Sequence, residues 1–165
     1  MSLSLHEQYD KIYRFCYFKV KNSYLAEDLT QETFLRFFSN NNYIGRGKPL
    51  AYLYTIAKNL CTDEFRKKVA EPLSEEHVDT NTAFDDVNLS VSMQSALKFL
   101  SDDVQEILLL RFANDLSIGE IASFTGLSRF TLRRKINGAL SQLKIILKKE
   151  DFFEPKNKKS FTRCV

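Results

Sequence analysis

Basic side chains recur near the C-terminus at a spacing that suits the binding of a polyanion. At 3.6 residues per turn, one helical stripe holds Arg129, Phe130, Arg133, Arg134 and Asn137. A second stripe is apolar and holds Leu132, Ile136, Ala139, Leu140 and Leu143. Residues 128–149 contain seven basic side chains and no acidic one. This pattern predicts a helix that packs through one face and offers guanidinium groups on the other to phosphates or base edges.

The segment before that helix has the features of a helix-turn-helix. Residues 100–146 read as three consecutive helices. Ser117 and Glu120 have the spacing of a capping box at the start of the middle helix. Gly126 accepts a left-handed turn conformation, and Ser128 can cap the last helix. Because a helix-turn-helix inserts its last helix into the major groove, the sequence favours DNA binding.

Composition predicts a largely helical protein with one or two small cores. The chain has 165 residues, 44% of them hydrophobic, with only 5 glycines and 3 prolines. Its net charge of +3 is unevenly distributed. Residues 71–97 carry six acidic side chains and no lysine or arginine, whereas the other residues carry 24 basic and 15 acidic side chains. The acidic stretch lacks sustained periodicity, which indicates a linker between two basic helical domains.

Several classes of site are disfavoured by the residues present. The three cysteines have no CxxC spacing and stand far from both histidines, so we expect no metal site, no disulfide framework and no cofactor. Cys16 and Cys61 lie on apolar stripes and are expected to be buried. The loop at residues 40–48 has two glycines but lacks a preceding strand and a phosphate-binding motif, which disfavours a nucleotide-binding enzyme. With neither a signal peptide nor a bilayer-spanning apolar run, we expect a cytoplasmic protein without membrane insertion.

Three helices are predicted in the N-terminal part, at about Leu5–Lys21, Tyr24–Ser39 and Pro49–Lys68. The third has an apolar stripe of Leu50, Leu53, Ala57, Leu60, Cys61 and Phe65, opposite a polar face. The predicted fold class is therefore all-α, with two small helical domains joined by a flexible acidic linker. The boundaries are residues 1–69 for the first domain, 70–91 for the linker, 92–150 for the second domain and 151–165 for a basic tail. That tail is either a phosphate-binding extension or a solvated end.

At two places the residues resemble a known family. YLAEDLTQETFLRFF at residues 24–38, RG at 46–47 and LAYLYTIAKNL at 50–60 resemble region 2 of the extracytoplasmic-function (ECF) group of bacterial sigma factors. LSDDVQEILLLRF at 100–112, LSIGEIA at 116–122 and GLS at 126–128 are similar to region 4 of that group. The two stretches cover most of the chain in the family's order. The resemblance implies a dissociable initiation subunit of RNA polymerase without catalytic chemistry of its own.

The resemblance also implies specific partners. Region 2 of such proteins docks on a coiled coil of core RNA polymerase and helps open the promoter −10 element, while region 4 binds the polymerase flap and the −35 element. An anti-sigma factor often covers these surfaces. The expected core-polymerase contacts are Asp28, Gln31, Glu32 and Leu35, which recur on one face of the second helix. The core of this domain would then include four apolar residues of the same helix: Leu29, Phe34, Phe37 and Phe38. Without the family motif, the acidic face would be interpreted as a surface that only contacts solvent.

The resemblance assigns DNA contacts to both domains. For the −10 element they are Tyr43, Arg46, Lys48, Lys58, Asn59, Thr62 and Arg66. Tyr43 would stack on an unpaired base or else anchor its loop on the core, and the Asn59 amide suits a base edge but also suits solvent. For the −35 element they are Ser128, Arg129, Thr131, Arg133, Arg134, Lys135 and Asn137. Here we expect Arg129 and Arg133 to contact bases, and Arg134 and Lys135 to contact phosphates.

Some residues depart from the family pattern, and two other kinds of protein remain as alternatives. In the last helix, Phe130 stands where the family commonly has glycine, and Gly138 stands where it commonly has arginine. Leu53 replaces a frequent tryptophan, and Gly119 replaces a residue that is usually longer and polar. For Gly138 we expect close backbone packing or a shortened basic surface.

The first alternative is a helix-turn-helix transcriptional regulator that acts without polymerase. The second is a sigma mimic that titrates a regulator, which the basic residues of the last helix argue against.

Overall fold

The computed structural model describes residues 4–40, 49–70 and 91–153, and in these ranges every regular element is helical. The N-terminal half consists of α1 (Leu5–Val20), α2 (Ser23–Ser39) and α3 (Pro49–Ala70). The C-terminal half consists of α4 (Val91–Leu97), α5 (Asp102–Leu108), α6 (Ile118–Thr125) and α7 (Arg129–Phe153), with a π-helical turn at Leu109–Ala113 after α5. The predicted helical class is confirmed, and the first three helices agree with their predicted ends within two residues. The short helix α4 was not predicted.

Local signals set the ends of the first helices. Ser4 and Glu7 form a reciprocal capping box at the start of α1, with both hydrogen bonds at 3.2 Å. Lys21 ends α1 in the left-handed conformation, with φ of 52°. One residue later, the Asn22 side chain accepts a hydrogen bond from the Leu25 amide and starts α2. The antiparallel pair α1 and α2 is therefore fixed by a two-residue connection.

The N-terminal core lies between these three helices and is closed to solvent at Ile12, Phe15, Leu53 and Tyr54. Cys16 and Cys61 are buried in it, as predicted. Leu53, at the position where the family often has tryptophan, fills the core without exposure.

Two side chains of this half that were predicted to be apolar core positions are exposed to different extents. Phe38 was expected in the core with Phe34, but its side chain is 62% exposed. It lies at the end of α2, where its ring contacts Phe34 and Phe37 from outside the core. Phe65, assigned to the apolar stripe of α3, is 45% exposed; it lies in the last two turns of that helix.

The C-terminal half has the predicted helix-turn-helix geometry. Ser117 and Glu120 form a capping box at α6, with hydrogen bonds of 3.1 and 2.7 Å. Gly126 ends α6 with φ of 74°, in the left-handed region where a side chain would be strained. Ser128 then accepts a hydrogen bond from the Thr131 amide at 3.1 Å and begins α7. Two consecutive caps thus fix the turn between α6 and α7.

Helix α7 packs through Leu132, Ile136, Ala139 and Leu143, which are all buried. Leu140, predicted on the same stripe, is exposed because it lies too far around the helix from the other four. Of the two alternatives for Gly138, close backbone packing is wrong, since a Cβ atom there would have nothing within 4 Å, and a shortened basic surface stays a prediction. Nothing in the structure explains this glycine.

The two halves contact each other directly. Asn114, fully buried after the π-helical turn, donates hydrogen bonds to the Tyr54 hydroxyl at 2.7 Å and to the Lys11 carbonyl at 3.0 Å. The Phe124 ring of α6 packs against Phe15 and Tyr54, with centroid distances of 5.5 and 5.4 Å. At the edge of this contact, Lys19 pairs with Glu106. These contacts place the middle helix of the helix-turn-helix against α1 and α3.

Candidate functional site

Polar and apolar side chains form an exposed line along α2. Asp28, Gln31 and Leu35 are exposed and Glu32 is half-buried. Tyr24 and Phe38 are also exposed on this line. It therefore contains five residues in order: Tyr24, Asp28, Gln31, Leu35 and Phe38. We call these five residues the α2 seam. Their alternating spacing of four and three residues is that of a helix face that packs along another helix.

Intrahelical contacts hold part of the α2 face in place. Glu32 accepts a hydrogen bond from the Arg36 guanidinium at 2.7 Å, and Gln31 donates to Glu27 at 3.3 Å. Exposed pairs of this kind at i and i+4 stabilise a helix only weakly, so a partner can recruit the same groups. The sequence had located the polar members of the seam. Tyr24 and Phe38 were missed, although the 4-3-4-3 spacing is visible in the sequence.

The polar face of α3 brings together four of the residues assigned to the −10 element. Lys58, Asn59, Thr62 and Arg66 are all exposed along this helix. Arg66 lies 3.7 Å from Asp63, which leaves it solvated and weakly paired. The Lys58 ammonium lies 5.5 Å from the Phe124 ring centroid, a cation–π distance that connects this face to the C-terminal half. Tyr43, Arg46 and Lys48, predicted to contact the same DNA element, lie outside the described residues.

The residues assigned to the −35 element surround the first turns of α7. Arg129, Arg133, Arg134 and Asn137 are exposed, as is the capping residue Ser128, whereas Thr131 and Lys135 are half-buried. The direction of each side chain follows from the buried stripe and from 100° of rotation per residue. Viewed down the helix axis, the direction opposite the buried stripe lies within about 30° of Phe130, Arg134 and Ser141. It lies within about 50° of Asn137. We call these four residues the outward line.

Two basic residues of the set lie at the sides of α7 and contact neighbouring elements. The Lys135 ammonium donates to Asp103 of α5 at 2.8 Å, and this hydrogen bond lowers the pKa of Asp103 to about 2. On the opposite side, the Arg129 guanidinium lies against Gly119 of α6, where an added Cβ atom would be 3.2 Å from it. Gly119 therefore leaves room for the Arg129 side chain. Neither contact was predicted. Lys135 and Asp103 are 32 positions apart, Arg129 and Gly119 are 10 positions apart, and no local pattern links residues of different helices at such distances.

Helix α7 is basic, whereas the neighbouring helix α5 is acidic. Among residues 129–149 of α7 all charged side chains are basic, whereas α5 presents Asp102, Asp103 and Glu106 to a cleft shared with lysines of the N-terminal half. The exposed face of α7 is therefore suited to a polyanion. Among the described residues, no group of three metal-ligating side chains occurs, and no helix is long and apolar enough to cross a membrane.

Comparison with known proteins gives two family matches and several relatives. The models for Sigma-70 region 2 and Sigma-70, region 4 match residues 5–71 and 90–143. ECF RNA polymerase sigma factor BldN of Streptomyces coelicolor is 36% identical over 134 residues, which are 74% of this chain and 51% of that protein. SigE of Mycolicibacterium smegmatis is 31% identical over 85% of this chain and 58% of its own length. The chain thus spans little more than half the length of these two relatives.

A third relative is matched over most of its length. ECF RNA polymerase sigma factor EcfG of Rhodopseudomonas palustris is 30% identical over 76% of this chain and 73% of its own. Among solved structures, the sigma factor RpoE of Bartonella quintana, crystallised with the anti-sigma factor NepR, has a TM-score of 0.64 at 22% identity. That likeness covers 87% of this chain and 94% of RpoE and shows a shared fold. Both family models, the curated relatives and the helical architecture agree: the chain belongs to the ECF group of the sigma-70 family.

Proposed function

We propose that this protein is a promoter-specificity subunit of bacterial RNA polymerase. It binds core polymerase, directs it to promoters with particular −10 and −35 elements, and carries out no catalytic step itself. Because core polymerase acts in the cytoplasm, that is where the chain works. The observation that carries the proposal is the α2 seam, present in the same chain as a basic helix-turn-helix.

The seam supports a protein partner rather than DNA. Tyr24, Leu35 and Phe38 expose apolar surface on it, and Asp28 adds a negative charge that would repel phosphates. The spacing of the seam fits a helical partner, and its charge fits a basic one. A regulator that binds DNA without polymerase has no need of such a surface on its N-terminal half.

Two further surfaces complete the proposal. The α3 face with Lys58, Asn59, Thr62 and Arg66, together with Tyr43, Arg46 and Lys48 of the preceding segment, contacts the −10 element. Helix α7 contacts the −35 element. For base contacts we favour Arg133, which is exposed, and Arg134, which lies on the outward line although the sequence suggested a phosphate contact for it. Arg129, also expected to contact a base, lies against Gly119 at the side of α7. An anti-sigma factor that covers the seam and α3 is the expected inhibitor.

The proposal is tested by transcription in vitro from fragmented genomic DNA of the source bacterium. Core polymerase from that bacterium is used with and without the full chain, and transcript 5′ ends are mapped. The proposal predicts discrete start sites that require the chain and share two upstream elements. If the chain produces no new start sites but binds defined duplex sites without polymerase, it is a helix-turn-helix regulator instead.

A further inference from the structure

The second residue of α7, Phe130, exposes an aromatic ring where a helix-turn-helix meets DNA. Its side chain is 73% exposed, so it contributes little to the core of the C-terminal half. It lies about 30° from the direction opposite the buried stripe of α7, at the N-terminal end of the helix. Residues at this end of a recognition helix contact base edges.

The surroundings of Phe130 define its partner. The other members of the outward line, Arg134, Asn137 and Ser141, are polar, so Phe130 is its one apolar side chain in the first half of α7; the next exposed apolar residue in that direction, Ile145, lies about four turns further on. Arg133 and Arg134 follow Phe130 within about one turn, and no acidic side chain lies between Arg129 and Lys149. A ring so close to guanidinium groups would be poorly placed against a second apolar protein surface, because those groups would have to be desolvated with it. Against DNA, the same guanidinium groups bind phosphates or guanine.

The major groove of DNA displays one prominent apolar group, the C5-methyl group of thymine. We propose that Phe130 packs against a thymine methyl group in the −35 element and is a specificity-determining residue of this chain. The inference rests on the proposed function and adds to it the identity of one base. Arg134, one turn further along, lies about 6 Å from Phe130 along the helix axis. Its base or phosphate contact should therefore fall about two base pairs from that thymine.

The test removes only the methyl group. The full chain, bound to core polymerase, is first used to select duplexes from a randomised pool, which yields its preferred −35 sequence. Each thymine of that sequence is then replaced singly by deoxyuridine, which pairs identically but lacks the methyl group. Binding is measured for the wild type, Phe130→Ala and Phe130→Leu. The variants should fold normally, since the ring is exposed, and circular dichroism checks their helicity.

At one thymine, the wild type should bind the deoxyuridine duplex about four-fold more weakly, as expected for one buried methyl-sized group. Phe130→Ala should bind both duplexes equally at that position and keep wild-type discrimination at the others. Phe130→Leu, which retains an apolar side chain, should retain part of the preference. The matched control is Phe99→Ala, since Phe99 is 75% exposed but lies between α4 and α5. It should keep the full thymine preference.

Two results would overturn the inference. If Phe130→Ala keeps the wild-type ratio between thymine and deoxyuridine at every position, the ring contacts the sugar–phosphate backbone or no DNA. If the selection itself yields no preferred sequence, promoter recognition by the complex fails, and the inference fails with it. A preferred sequence with no thymine dependence would contradict the role of Phe130 alone.

Discussion

Asn114, in the C-terminal half, donates a hydrogen bond of 2.7 Å to the hydroxyl of Tyr54 in the N-terminal half. Both residues are fully buried, and burial raises the pKa of the Tyr54 hydroxyl above its ordinary value. The Asn114 side-chain oxygen has no hydrogen-bond partner among the described residues. The contact is therefore a specific polar link inside an otherwise apolar interface, where a lost partner is costly.

The first prediction concerns this link. Tyr54→Phe and Asn114→Ala should each destabilise the full chain, and the double variant should be destabilised by about 1 kcal/mol less than the sum of the two. Chemical denaturation of the four proteins measures this coupling. Tyr52→Phe is the control, because the Tyr52 hydroxyl accepts from Asn40 within the N-terminal half. The effect of Tyr52→Phe should add to that of Asn114→Ala. If the effects of Tyr54→Phe and Asn114→Ala also add, the hydrogen bond between these two residues does not form in solution.

The second prediction concerns the α2 seam and the neighbouring Glu32. Reversing the charges of Asp28 and Glu32 to lysine should weaken association with core polymerase roughly tenfold or more, because a basic partner would then meet like charges. Pull-down and titration with core polymerase measure this effect. A variant with Asp10→Lys and Glu64→Lys carries the same change in charge on other faces of the N-terminal half and should bind normally. Equal binding by the two variants would remove the seam from the interface.

Promoter opening provides the third prediction. Asn59→Ala should reduce open-complex formation on duplex promoters more than on templates already unpaired across the −10 element, because the cost of unstacking is then already met. Tyr43→Ala should behave in the same way. Permanganate footprinting on both templates gives the comparison. Thr55→Ala, one turn earlier on α3 and also exposed, is the control. A loss of equal size on both templates would point to a structural role.

The fourth prediction uses the ion pair between Lys135 and Asp103. Since Asp103 holds the Lys135 ammonium at 2.8 Å, Asp103→Asn should free this lysine for phosphate. The variant should bind all duplex sequences more tightly, with the salt dependence of log K steeper by about one unit. Lys135→Ala should cancel this gain when it is combined with Asp103→Asn, while Arg133→Ala should lower sequence preference by about 1–3 kcal/mol. A salt titration on selected and scrambled duplexes separates these outcomes. An unchanged slope for Asp103→Asn would mean that Lys135 does not reach phosphate.

Local sequence signals predicted the three helices of the N-terminal half and the caps of the helix-turn-helix, but not α4. The capping box at Ser117 and the left-handed Gly126 depend on residues within one turn, and both were identified from spacing alone. Periodicity failed in two ways: Phe38 lies at the end of α2 outside the core, and Leu140 lies too far around α7 from its buried stripe. The bond from Asn114 to the Lys11 carbonyl spans 103 residues, and no local pattern encodes it. The same holds for the ion pair that occupies Lys135.

The position of Lys58 has a thermodynamic consequence. Its ammonium lies over the Phe124 ring, and it also belongs to the residues proposed to bind the −10 element. One ammonium group cannot make full use of both partners, so DNA at α3 and the C-terminal half compete for it. If Lys58 binds the −10 element as proposed, that binding weakens the contact between Lys58 and Phe124, and by reciprocity this contact lowers the affinity of Lys58 for DNA by the same factor. Substitution at Phe124 would then change the affinity for the −10 element without removing a residue of the proposed DNA-binding face.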